Sequence, residues 1–309
     1  MDIYDLHCDL LCYLANDASR SAYDPEVRCA IPQLQAGGVK TLVLPIFTST
    51  APRSVSSGLA QLEVFRTLSD KYPIFNSEIS TALAIENCSS FFEEDEPLQA
   101  GFDRLAKLGP LVYASLTWNG ENRFGGGAGS EKGLKPDGEE LLRFFSGKGV
   151  WIDFSHTSDR LAHDILALID KEELQLSVLA SHSNFRAVHG VVRNLPDELA
   201  SEIFRRGGVI AINLVKMFIG PTPDFFIKQI EHGLELGGED ALCLGADFFY
   251  GMDVPADQRK PPEVYWFDEF DNASTYPVLF NLLKSHFSEE FLIKLAHRNF
   301  RSKLSLVHV

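Results

Sequence analysis

Three histidines and three carboxylates stand where short apolar runs of this chain end. His7 and Asp9 follow Ile3-Tyr4, Glu86 follows Leu83-Ala84-Ile85, His156 follows Val150 to Phe154, His182 follows Val178-Leu179-Ala180, and Asp247 follows Leu242 to Ala246. Imidazole and carboxylate donors without a cysteine pair suit zinc or a similar divalent ion in an open, catalytic site. More than four candidate ligands imply two ions. Such a pair can bind a water between the metals, lower its pKa towards neutrality and polarise a scissile carbonyl, which hydrolyses an amide without a covalent intermediate. Asp247 would then move the proton.

Each motif also has a plainer reading. In Asp5-Leu6-His7-Cys8-Asp9 an extended backbone points His7 and Asp9 to one face with Asp5 beneath them, and turns Cys8 away as a packed thiol. The alternative is turn or capping chemistry. Glu86 at the mouth of an apolar strand needs a metal or counter-charge to offset desolvation, or else it caps the next helix. Ser155-His156 and Ser181-His182 both end apolar runs; either histidine alone would be read as structural. For Asp247 the plain alternative is a carboxylate satisfied by neighbouring backbone amides.

The elements that must position these groups alternate along nearly the whole chain. Eight β-rich runs are read at Ile3 to His7, Thr41 to Phe47, Thr81 to Glu86, Leu111 to Thr117, Val150 to Ser155, Ser177 to Ser181, Gly208 to Leu214 and Leu242 to Asp247. Helical patterns lie between them, at Leu59 to Ser69, Leu98 to Leu108, Gly138 to Phe145, Arg160 to Ile169, Asp197 to Arg206 and Phe225 to Leu236, with closing helices at Phe280 to Lys284 and Glu289 to Phe300. Near-continuous apolar strands alternating with helices call for a parallel sheet covered on both faces. Eight repeats predict one α/β domain over residues 1–309, a (β/α)8 TIM barrel with the metal site at the C-terminal rim of its strands. A doubly wound open sheet is the alternative. The loop Asn119 to Gly133, with Gly125-Gly126-Gly127-Ala128-Gly129, lacks the Lys-Ser/Thr of a phosphate loop and reads as a mobile pocket wall or lid, or else as a solvent loop.

Composition narrows the setting. A formal charge of -15 over 309 residues opposes nucleic acid or an anionic membrane as partner. The first residues lack the basic and apolar regions of a signal peptide, and no apolar run approaches a membrane span, so a cytoplasmic protein is expected. Five cysteines, an odd number with no Cys-x-x-Cys pair, indicate buried, reduced thiols rather than a disulfide framework.

Taken in order, Asp5-Leu6-His7-Cys8-Asp9, Ala84-Ile85-Glu86, Ser115-Leu116-Thr117-Trp118-Asn119, Ile152-Asp153-Phe154-Ser155-His156, Ser181-His182-Ser183, Arg193-Asn194-Leu195-Pro196-Asp197 and Gly245-Ala246-Asp247-Phe248 resemble the membrane (renal) dipeptidase family of metallopeptidases. The resemblance implies a zinc-dependent dipeptidase with two Zn2+ ions, His7 and Asp9 on one, His156 and His182 on the other, and Glu86 bridging both. It implies that Arg193 grips the C-terminal carboxylate of a small dipeptide substrate, which a guanidinium fork suits, and that Asp247 is the acid/base residue. Family members are often dimers, so a homodimer is among its implications.

The chain departs from the family at the pocket. Trp118 stands where many animal members carry a histidine thought to steady the tetrahedral intermediate, leaving Asn119 or Asn122 as possible donors to the oxyanion. Val215 replaces a tyrosine, and Asp247-Phe248-Phe249-Tyr250-Gly251 replaces the usual Asp-Phe-Asp-Gly. Another barrel amidohydrolase, acting on N-acyl amino acids or cyclic amides, is the rival reading. Many of those bridge their metals with a modified lysine on the fourth strand, and Leu111 to Thr117 has none. A metal-free binding protein is the non-enzymatic rival.

Overall fold

The computed structural model describes residues 1–261 and 265–303. Its eight strands are β1 (Ile3–Asp5), β2 (Val39–Phe47), β3 (Ser80–Glu86), β4 (Leu111–Ser115), β5 (Trp151–Asp153), β6 (Ser177–Leu179), β7 (Ile210–Ile212) and β8 (Leu242–Leu244). All are parallel, in the order β6-β5-β4-β3-β2-β1-β8-β7. The two ends meet just past β6, where the Ala180 amide donates to Val209 O at 2.9 Å and the Ala211 amide to Ala180 O at 2.8 Å. The sheet therefore closes, giving the (β/α)8 barrel that strand count and alternation predict.

Each run read from the sequence falls on one strand, β2 and β3 beginning slightly earlier than their runs. The other strands are shorter than their runs, because the residues ending those runs leave the ladder and turn over the rim. Predicted helices recur as Ser54–Lys71, Leu98–Leu105, Pro136–Phe145, Asp159–Glu172, Asp197–Arg205, Phe225–Glu235 and Tyr276–Leu283. The expected Glu289 to Phe300 helix is Glu289–Ile293, a π-turn over Lys294–Arg298, and Asn299–Lys303. No helix among the described residues is long and apolar enough to cross a membrane.

Period-two alternation separates two cores. Outward residues such as Leu42, Leu44, Ile46, Ile85, Ile152 and Leu244 pack into the layer between strands and helices. Inside the barrel, small Ala82, Ala84, Ala211 and Cys243 pack with Val43, Leu179 and two bulky rings, Tyr113 and Phe300. Tyr113 thus fills the lumen while leaving one polar atom, its hydroxyl, near the rim.

The first strand corrects one expectation. Asp5 does not lie beneath His7 and Asp9. β1 stops at Asp5 and the chain bends at Leu6, which breaks the alternation. Leu6 joins the lumen, and Asp5 accepts hydrogen bonds from the Tyr276 hydroxyl at 2.5 Å and from the amides of Ala246 at 2.9 Å and His7 at 3.2 Å. It latches β1 to the β8 loop and to the Tyr276–Leu283 helix. Burial still lifts its carboxyl to about 6, so those donors only partly offset desolvation. Tyr276→Phe is expected to destabilise the fold by about 1–3 kcal/mol, the cost of under-satisfying a buried polar group. It should lower the urea midpoint at unchanged slope; an unmoved midpoint would show that the latch contributes nothing.

Candidate metal centre

The rim brings the six predicted donors together. Glu86, last residue of β3, is the centre. Its Oε2 lies 3.0 Å from His7 Nε2, and its Oε1 lies 3.0 Å from His156 Nε2 and 3.7 Å from His182 Nε2. Asp9 Oδ1 and Asp247 Oδ1 stand 3.9 Å and 3.7 Å from His7 Nε2. Three sets of donor atoms lie mutually within 4.8 Å: His7, Asp9 and Glu86; Glu86, His156 and His182; and His7, His182 and Asp247. Glu86 belongs to the first two. Cys8, between His7 and Asp9, is fully buried, and all five cysteines are buried free thiols.

Hydrogen bonds fix the tautomer of each imidazole. The Tyr113 hydroxyl gives its proton to Leu6 O at 3.0 Å and so accepts from His7 Nδ1 at 2.8 Å. Ser181 Oγ donates to Asp153 Oδ2 at 2.6 Å and so accepts from His182 Nδ1 at 2.7 Å. His156 Nδ1 donates to Asn119 Oδ1 at 2.8 Å. With hydrogen on every Nδ1, each Nε2 keeps its lone pair. All three lone pairs face one carboxylate.

Acceptors facing acceptors repel unless a cation or proton sits among them. Protonating His156 or His182 is disfavoured, since burial holds both well below the usual imidazole range. Burial instead lifts Glu86 to about 8 and Asp247 to about 7, and drives Asp9 well above the carboxylate range, with Glu86 the next contributor. His7 Nε2, His182 Nε2 and Asp9 Oδ1 are buried without a hydrogen-bond partner. A lone-pair nitrogen set around a shared carboxylate, with orphaned atoms aimed inward, is the donor chemistry that divalent ions take.

Comparison with known proteins agrees with this geometry. The model of the membrane dipeptidase family, peptidase family M19, matches residues 1–302. The chain belongs to that family. It is 29% identical over 212 residues to an uncharacterized dipeptidase of Schizosaccharomyces pombe, covering 63% of this chain but 48% of the relative. The match therefore spans about half the length of that protein. A Klebsiella pneumoniae protein encoded in the pqqA 5' region is 28% identical over 233 residues, 70% of this chain and 77% of its own. Among solved structures, a metallo peptidase from Rhodobacter sphaeroides bound to a phosphinate mimic of L-Ala-D-Ala superposes with a TM-score of 0.80 at 17% identity, over 100% of this chain and 99% of the other. At that identity the likeness is one of fold.

Against the membrane dipeptidase pattern, several residues sit differently from expectation. Asn122 cannot supply an oxyanion donor, because its amide nitrogen is bound to Leu116 O, Asn87 Oδ1 and Ser89 Oγ, and its oxygen accepts from the Phe124 and Gly125 amides. Asn119 is committed too, holding His156 on one side and donating to Gln258 on the other at 2.9 Å. The glycine-rich segment is no loose lid. Its amides close on Trp118, Asn119 and Gly120 carbonyls, and a Cβ on Gly127 would fall 1.7 Å from Trp118 O. Among its residues only Asn119 lines the central cavity, beside Trp118, Val215, Phe249 and Tyr250.

Arg193 lies just outside that lining, stacked 5.4 Å from the Phe218 ring centroid. It donates to Ser183 Oγ and His182 O, both at 2.9 Å. Its Nε is buried without a partner, and among the described residues no carboxylate lies within 4.0 Å of the guanidinium. Asp247 is not satisfied by backbone amides: its Oδ2 accepts from Asn213 Nδ2 at 2.8 Å. Sequence reasoning passes over Asn213 and Tyr113, and gives no role to Ser181 and Asp153 although both stand in its motifs. Both Asn213 and Asp153 leave a signal in the sequence as polar residues within apolar runs.

Because burial lifts Glu86 to about 8 and Asp247 to about 7 in the metal-free protein, divalent ions must displace protons from these carboxyls. Zinc added to chelator-treated protein at pH 6.5 is expected to release at least one proton per site, and affinity should rise with pH between about 6 and 8. Calorimetry in buffers of different ionisation enthalpy reads this directly. Binding without proton release would contradict the protonated-carboxylate description.

Proposed function

We propose that this protein is a zinc-dependent dipeptidase that uses two ions. The observation that carries this reading is the convergence of three imidazole lone pairs on the single carboxylate of Glu86. His7 and Asp9 would hold one ion, His156 and His182 the other, with Glu86 between them. When bound, the ions would lower the pKa of a water and polarise the scissile carbonyl.

The chain's own residues supply the rest. Asn213 ties Asp247 Oδ2 and leaves Oδ1 facing the cluster, where it can accept a proton from the attacking water and deliver it to the departing amine. Arg193 offers its unpartnered Nε–H and remaining guanidinium hydrogens to the substrate carboxylate; a half-buried cation without an acid partner is suited to an anionic end group. Trp118, standing beside His156 at 5.9 Å between ring centroids, walls the site against water. The whole chain, residues 1–309, would form one catalytic barrel, and the substrate class, small dipeptides with a free carboxylate, follows from Arg193.

The test is release of amino acids from dipeptides by zinc-loaded protein, with N-acyl amino acids and dihydropyrimidines as competitors; turnover of those alone would overturn the peptidase reading. Glu86→Gln, which replaces a bridging carboxylate by an amide, should lose metal and activity together, read by metal analysis and dipeptide assay. Retained stoichiometric metal would remove Glu86 from the centre. Arg193→Ala should raise KM about 30-fold or more for dipeptides while leaving C-terminally amidated substrates little changed. Unaltered selectivity would unseat Arg193 as anchor.

A further inference from the structure

The geometry points to dipeptides whose N-terminal residue carries a bulky apolar or aromatic side chain, seated against Phe47 and Trp118. This rests on the dipeptidase reading and on the carboxylate reaching Arg193. Phe47 ends β2 and Trp118 follows β4, flanking Glu86 on β3. Their rings meet edge to face with centroids 5.0 Å apart. Both line the cavity beside Glu86 and His156, and both keep part of their surface open. Apolar surface left uncovered in a concave site is surface that a ligand can desolvate.

Direction follows from Arg193. It lies after β6 and beside Phe218, which lines the cavity with Val215 and Met217 in the segment that follows β7. A carboxylate held there places the C-terminal residue on the β7 side. With the scissile amide over Glu86, the N-terminal residue falls on the opposite side, against Phe47 and Trp118. That wall is pre-formed: the Trp118 ring is set between Phe47 and His156, with centroids 5.0 Å and 5.9 Å away, and its backbone is pinned by the Ala128 amide, which donates to Trp118 O at 3.3 Å. A rigid apolar wall rewards a large side chain without an ordering cost.

The experiment measures kcat/KM of zinc-loaded protein for two series, X-Gly and Gly-X, with X = Gly, Ala, Leu, Phe and Trp. Leu, Phe and Trp in X-Gly should exceed Gly and Ala by about 10- to 100-fold, and the Gly-X series should be flatter. Trp118→Ala should reduce turnover of Phe-Gly at least tenfold more than that of Ala-Gly; Phe47→Ala gives a second reading should the first variant fold poorly. A flat or small-preferring X-Gly series, or a size preference confined to Gly-X, overturns the inference while the dipeptidase reading stands. If no dipeptide is hydrolysed, that reading fails instead. The wall is then judged by fluorescence titration with Phe-Gly and Ala-Gly, where equal affinities overturn it.

Discussion

Everything at the rim of this barrel depends on one electrostatic constraint: three imidazole nitrogens, each with its lone pair turned inward, share the carboxylate of Glu86 in a largely buried site. Such an arrangement is unfavourable by itself, because acceptors face acceptors where the effective dielectric is low. It becomes favourable only when positive charge enters. The raised carboxylates describe the same constraint from the other side: protons take up the position that a divalent ion would hold. Burial thus does two jobs, making the metal-free site hold protons and making its attraction for a dication strong.

The constraint is maintained by residues that touch no ligand position. Tyr113, Asn119 and Ser181 each occupy one Nδ1 and thereby fix which nitrogen faces inward. Asp153 accepts from the amides of Ser155 and Ser181 and from the hydroxyls of Ser115 and Ser181, so a fully buried carboxyl group meets four donors and Ser181 has one orientation open to it. Tyr113 links this shell to the fold. Small residues inside the barrel leave room for its ring, and the ring's length carries a hydroxyl from the lumen to His7. Packing inside the barrel therefore sets a tautomer at its mouth.

How much of this could be read from the chain follows from where periodicity applies. Strands and helices obey the two periods of hydrophobic patterning, so β2 or the helix Asp159–Glu172 is visible from apolar spacing alone, and the six donors stand out because charged and imidazole groups interrupt apolar runs. Beyond the strand ends the periods stop. His156 and Asp247 adopt positive φ, 66° and 64°, as does Asn87 next to Glu86 at 70°; backbone of this kind aims a side chain where no alternation rule would put it. Asp5 fails for the same reason, since the bend at Leu6 separates it from the face that His7 joins. Tyr113 and Asn213 escape notice because their partners are distant in sequence, and only closure of the barrel makes them neighbours. The glycines after Asn119 resemble a flexible loop by composition, whereas the carbonyls they pack against decide that they are rigid.

The substituted pocket residues need not disturb the candidate metal centre. Trp118 and Val215 lie on the cavity wall, while the histidines are held from behind, by the lumen and by the loops after β4 and β6. The hydrogen bonds that orient the ligands do not pass through the Trp118 side chain; its carbonyl, by contrast, is fixed by the glycine-rich hairpin. Backbone and side chain at this one position thus serve separate ends, the first building the rim and the second shaping what the rim can hold. A barrel organised in this way can change substrate by altering side chains on the cavity wall without touching the carboxylate on which its charge balance rests.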